Sequence, residues 1–274
     1  KITSNRDPGT AIWFPSIENS SLSSKRAISP GSRFEVILML ETEGGFVDSA
    51  FTILQVGEAR ENAPQGPDGY GYICFDDTDE DWVLAPTYDW VEICPRDDDR
   101  EFDGIDIEEF DGRSEYDIGE TAVIDLPFET QFYGRTYDQI TVCTNGFISM
   151  GDQEYATNFQ NWPMDHAVGG GIGMLAPSWD DLMYRNNVSS ICCFFDEDES
   201  RFIVEWYRLT HRVGRDDLTF QVILYDREVW NTRTGDQNIV FQYKQVSNIP
   251  GRNDGYLTSS PFASVGISSP DGKT

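Results

Sequence analysis

Basic residues are scarce. Twenty Lys and Arg stand against 48 Asp and Glu, a net charge of −28. A surface of that sign repels a phosphate backbone and an anionic bilayer, so nucleic-acid binding is excluded as a reading. Divalent cations, basic partners or plain solubility remain. Histidine is scarcer still, with His166 and His211 the whole supply. None of the five cysteines sits in a CxxC, so a zinc site is not expected. No apolar run approaches the roughly 18 residues of a membrane helix. The longest, FEVILML at 34–40, has the length of a strand. There is no GxSxG elbow and no HExxH, which removes the familiar hydrolase signatures. GGGIG at 169–173 lacks the strand–GxGxxG–helix setting of a dinucleotide site.

Helical periodicity is missing almost throughout, and strand alternation takes its place. Short apolar runs recur about every ten residues, split by Gly, Pro, Asn and Asp. They are RFEVILML (33–40), AFTILQV (50–56), GYGYICF (69–75), DWVEIC (89–94), TAVIDLPF (121–128), QITVCTNGFISMG (139–151), SICCFF (190–195), RFIVEWYRL (201–209), LTFQVILYD (218–226), NIVFQYKQV (238–246) and ASVGIS (263–268). Val, Ile, Phe, Tyr and Thr dominate them. RFIVEWYRL sets Phe202, Val204 and Trp206, or their neighbours, on one face. At 39% hydrophobic and 13% aromatic content, the 274 residues suffice for a sizeable core. The expected fold is all-β: an antiparallel sandwich of jelly-roll or Ig-like type. Three segments are expected: an extended arm over 1–31, partial Ig-like strands over 32–62, and the sandwich over 66–274. The start at Lys1, with no signal-peptide core, reads as a mature or trimmed chain.

The cysteines are Cys74, Cys94, Cys143, Cys192 and Cys193. Cys74 and Cys94 end two strand-like runs and could pair. Cys143 could pair with Cys192 or Cys193, which face opposite sides of a strand. The competing reading makes all five buried small hydrophobes. Disulfides would place the chain in an oxidising compartment.

A longer ordered pattern carries a resemblance. GPDGYGYICFDDTDEDWVLAPTYDWVEI (66–93) is followed by IDLPFETQFYGRTYDQITVCTNGFISMG (124–151), NFQNWP (158–163), MLAPSWDDL (174–182), RFIVEWYRL, TFQVILYD (219–226), GDQNIVFQYKQV (235–246) and SVGISSPDG (264–272). This resembles the nidogen-like (NIDO) β-sandwich module of large secreted and surface proteins of Bacteroidetes- and Fibrobacteres-type bacteria. About two thirds of the chain takes part. The resemblance implies an extracellular module and a structural corner at APSWDDL, with the Trp in the core and the Asp side chains bonded to loop amides. Two departures stand out. Ser178 replaces the usual Phe, and the chain ends at PDGKT, where an aromatic strand is expected to follow, in a longer chain or from a neighbour.

Asp180 and Asp181 in that corner are candidate calcium ligands beside the structural reading. A glycosidase-type acid pair would need both carboxyls on one cleft. The second calcium candidate is DDDREFDGIDIEEFDG (97–112), using Asp97, Asp99, Asp103 and Asp106. It starts like an EF-hand loop, but Phe110 stands where the bidentate Glu belongs. A solvated acidic loop is its bland alternative. DDTDED (76–81) and DEDES (196–200) read as hairpin tips. Asn19 and Asn187 head N-glycosylation sequons, and Ser49 in DSA resembles a bacterial O-glycosylation triplet.

No catalytic residue is expected, and no cofactor beyond a calcium ion. The leading expectation is a non-catalytic extracellular or cell-surface structural module that assembles with copies of itself or with neighbouring modules. An arm segment around Ile12, Trp13 and Phe14 would add a strand to a neighbour, and a contact that does not close gives a fibre. The alternative is a carbohydrate- or protein-binding accessory module of a larger secreted enzyme such as a peptidase, with Trp90, Trp162, Trp179 or Trp230 as a platform.

Overall fold

The structure is a computed structural model. It describes residues 64–79, 82, 84–94, 104–107, 110, 119–164, 170–185, 187–212, 217–232, 234–246 and 263–272, residue 57, and the backbone of 2–3, 33–41 and 47–55. Ile12, Trp13, Phe14, Asn19, Asp97, Asp99, Asp103 and His166 lie outside the described residues. The chain divides into two compact units, Lys1–Thr87 and Tyr88–Thr274.

In the first unit β1 (Ile2–Thr3), β2 (Arg33–Glu41) and β3 (Val47–Gln55) form an antiparallel sheet in that order. The pairing of Ile2 with Leu38 folds the very start of the arm onto its own unit. GYGYICF, expected as a strand, makes a single antiparallel bridge, Gln65 to Cys74. Asp68 is the cause: its Oδ1 accepts from the amides of Tyr70, Gly71 and Tyr72, winding the segment into a turn.

The second unit is a two-sheet antiparallel sandwich. Its strands are β4 (Ile105–Asp106), β5 (Thr121–Phe132), β6 (Arg135–Cys143), β7 (Phe147–Met150), β8 (Met174–Trp179), β9 (Leu182–Met183), β10 (Ser190–Asp196), β11 (Arg201–His211), β12 (Leu218–Tyr225), β13 (Ile239–Gln245) and β14 (Ser264–Ser268). One sheet runs β13-β12-β11-β10-β4, with β9 added on β11; the other runs β14-β8-β7-β6-β5. No helix among the described residues is long and apolar enough to cross a membrane.

Alternation explains the core. Phe202, Val204 and Trp206 share the inward face of β11, as their spacing predicts, and are buried with Phe220, Val222 and Leu224 of β12. The indole of Trp206 donates to the Cys143 carbonyl of the other sheet at 2.9 Å. Tyr243 Oη reaches the Pro177 carbonyl at 2.7 Å. These two bonds and the Phe128–Phe195 ring contact join the layers.

DWVEIC was expected as a ladder strand, and it is not one. Residues 88–94 lie as a strap on the outward face of the β13–β10 sheet. Their backbone groups go to side chains of the sheet instead of to a neighbouring backbone. The strap ends in a disulfide, Cys94–Cys192, with Cα atoms 5.5 Å apart. This corrects both expected pairings. Cys74 belongs to the first unit and Cys94 to the second. Cys143 is buried in the core cluster of Phe147, Met174 and Trp179, while Cys192 faces outward into the cluster of Ile93, Ile203 and Ile223.

Candidate functional site

The site grows from the turn Thr144–Gly146 between β6 and β7. Asn145 is buried, and both ends of its amide are used. Nδ2 donates to the Thr157 carbonyl at 3.0 Å, and Oδ1 accepts from the Leu182 amide at 3.2 Å. Its own carbonyl accepts from the Asp180 amide. Gly146 has φ of 78°, and a Cβ there would lie 2.1 Å from the Ser178 carbonyl oxygen. The TNGF run therefore brings one backbone against another, which glycine alone permits.

The partner backbone is the APSWDDL corner. Ser178, the residue before the end of β8, is buried and makes this approach through its backbone. Trp179 is fully buried, edge-on to Phe147 at 5.7 Å, with Nε1 donating to the Asn158 carbonyl at 2.8 Å. After Trp179 the chain leaves one sheet and joins the other, because β9 pairs with the end of β11. Asp180 and Asp181 stand at that crossover.

Each acid faces a base on β11 or just past it. His211 Nε2 lies 3.5 Å from Asp180 Oδ2, and Arg212 Nε donates to Asp181 Oδ2 at 2.8 Å. The Arg212 amide also donates to the Asp181 carbonyl at 3.1 Å. Asp180 Oδ1 caps the Asp181 amide. Burial, and then the neighbouring Asp180 charge, push the Asp181 carboxyl up to about 6, with His211 pulling the other way. Arg212 loses basicity to burial. Asp180 Oδ2 and Asp181 Oδ1 are buried and take no hydrogen bond.

This arrangement holds two sheets together with titratable groups. Among the described residues no group of three or more His, Cys, Asp or Glu is arranged to hold a metal ion. Asp106 sits apart, on β4 opposite Cys192. Asn187 is exposed at a turn tip with φ of 60°, while the sequon hydroxyl of Ser189 is buried and donates to the Arg208 carbonyl. Ser49, on β3, pairs with Met39 on β2. Trp230 is 40% exposed, but its ring nitrogen is tied to the Glu199 carbonyl. Trp90 lies under Lys244, 5.4 Å from its ring.

Sequence reasoning missed His211 and Arg212 as partners of the corner, because the contact depends on where β11 ends. It also missed the outward row Glu205, Gln221 and Gln242. Those three polar residues interrupt apolar strands at matching positions, and that was a usable signal.

A family model described as NIDO related matches residues 107–274. No curated protein and no solved structure matches the chain.

Proposed function

We propose, from the premise that the chain belongs to the NIDO-related family over residues 107–274, that it works outside the cell as a non-catalytic structural module. The family suggests an extracellular module, and the Cys94–Cys192 disulfide suits an oxidising compartment. The observation that carries the non-catalytic part is the corner itself. Its two carboxylates are engaged by His211 and Arg212 of the same unit.

The module assembles with copies of itself or with neighbouring modules, the segment around Ile12, Trp13 and Phe14 supplying an added strand. Asn19, Asn187 and Ser49 are its candidate glycan attachment points. Sedimentation velocity of the full chain over a hundredfold concentration range tests assembly. The reading expects species larger than the monomer, lost when Ile12, Trp13 and Phe14 are all changed to Ser. A monomer at every concentration overturns it, and favours a binding accessory module for glycans or proteins.

A further inference from the structure

One row of residues crosses the outward face of the six-stranded sheet. Cys192 on β10 pairs with Glu205 on β11, Glu205 with Gln221 on β12, and Gln221 with Gln242 on β13. An outward face of a sandwich sheet is ordinarily wet. Here Cys192, Glu205 and Gln221 are all 0% exposed, because residues 88–94 run along the row. Each position is tied in turn. The Gln242 amide accepts from Asp89 N at 2.7 Å and donates to the Asp89 carbonyl at 2.8 Å, as a neighbouring strand would. Gln221 Nε2 donates to the Val91 carbonyl, and Glu205 Oε2 accepts from Ile93 N at 3.4 Å. Cys94 then meets Cys192. The lengths agree. Four strands about 4.8 Å apart span about 14 Å, and five extended residue steps cover about 16 Å.

Beneath the strap lies an apolar patch, Ile203 and Ile223 with the partly buried Phe194 and Val240, closed by Ile93 and Val91. The strap precedes residue 107, where the family match begins, yet it completes this face.

We infer that residues 88–94 are an oxidation-locked latch. Gln242, Gln221 and Glu205 seat the strap reversibly, and Cys94–Cys192 makes the seating permanent. Closure is thiol–disulfide exchange. A disulfide-bearing oxidant accepts two electrons and leaves as two thiols, while the Cys94 and Cys192 thiols join through one S–S bond. Alternation selects the partner: Cys193 pairs with Val204 on the inward face, so Cys192 is the one presented to Cys94. The reduced sheet keeps its ladder but opens its outer face, so the unit is finished in an oxidising compartment.

Hydrogen exchange on the full chain tests this, comparing the oxidised protein with the Cys94→Ala/Cys192→Ala variant. The amides of Asp89 and Ile93 should exchange at least about tenfold faster in the variant, with β11 and β12 unchanged, since without the disulfide only side-chain bonds, the Asp89–Arg201 and Glu92–Lys244 ion pairs and the packing of Val91 and Ile93 hold the strap. Equal protection of the strap in both proteins overturns the latch. So does joint loss of protection in strap, β11 and β12, which would make the disulfide a general staple. A second measurement needs no cysteine change. Cys94 is 1% and Cys192 0% exposed, so reduction by dithiothreitol must wait for the strap to open. Gln242→Ala should speed native-state reduction about fivefold to tenfold; an unchanged rate contradicts the proposal.

Discussion

Arg212 Nε donates to Asp181 Oδ2 across 2.8 Å, and the Arg212 amide donates to the Asp181 carbonyl. One residue just past β11 thus grips, twice, the point where the chain changes sheets. The Asp181 carboxyl is pushed up to about 6 by burial and by Asp180, above the ordinary value of 3.8. A carboxyl whose folded value is raised favours folding below about pH 4, and loses that contribution as pH rises through about 6. The stability of the wild type relative to Asp181→Asn should therefore fall between pH 4 and 6. Urea unfolding at several pH values measures it, and a flat or rising difference contradicts the assignment.

The approach of Gly146 to Ser178 gives a second expectation. Gly146→Ala puts a Cβ 2.1 Å from a carbonyl oxygen at φ of 78°, and should cost about 2–4 kcal/mol. Gly151 has φ of 79° but meets nothing nearer than the Tyr137 ring at 3.6 Å. Gly151→Ala should cost only the backbone share, about 1–2 kcal/mol. Comparing the two variants by denaturant unfolding separates close approach from dihedral strain. Equal costs would remove the close approach from the account.

The indole of Trp206 bridges the layers. Trp206→Phe keeps a ring against Phe220, 5.1 Å away, but leaves the Cys143 carbonyl without this donor. That carbonyl keeps the Gly146 amide as a donor at 3.2 Å, so the cost is that of one lost hydrogen bond, about 0.5–1.5 kcal/mol. The loss should appear as a lower urea midpoint with an unchanged slope.

Thiol labelling should separate the cysteines. The Cys143 thiol is fully buried and pushed up to about 12, mainly by burial. It should resist iodoacetamide until the protein unfolds. Cys74 is exposed, although partial burial of its sulfur and the Asp76 and Asp79 charges raise its pKa. It should be labelled slowly in the native state and faster as pH rises. Mass spectrometry of labelled peptides reads both, and labelling of native Cys143 ahead of Cys74 would contradict the placement.

Much of the sandwich was legible in residue order. Strands β10 to β12 announce themselves because each alternates a buried face with a second face, and β-branched and aromatic residues fill both. The corner was legible as a motif, since the resemblance implied a core Trp there and Asp suits a turn; Trp179 as a binding platform was a misreading, because its ring is fully buried. Its partners were not, because no local spacing ties Asp181 to Arg212. The disulfide was illegible for the same reason, its cysteines lying 98 positions apart. DWVEIC was misread because the strap alternates like a strand while bonding to side chains. The matching polar positions of Glu205, Gln221 and Gln242 were the clue.

The most direct test of the central claim is negative-stain electron microscopy of the full chain at high concentration. A structural module that assembles should give fibres or regular arrays, lost when Ile12, Trp13 and Phe14 are replaced by Ser. Isolated compact particles at every concentration, with or without that change, would contradict the account.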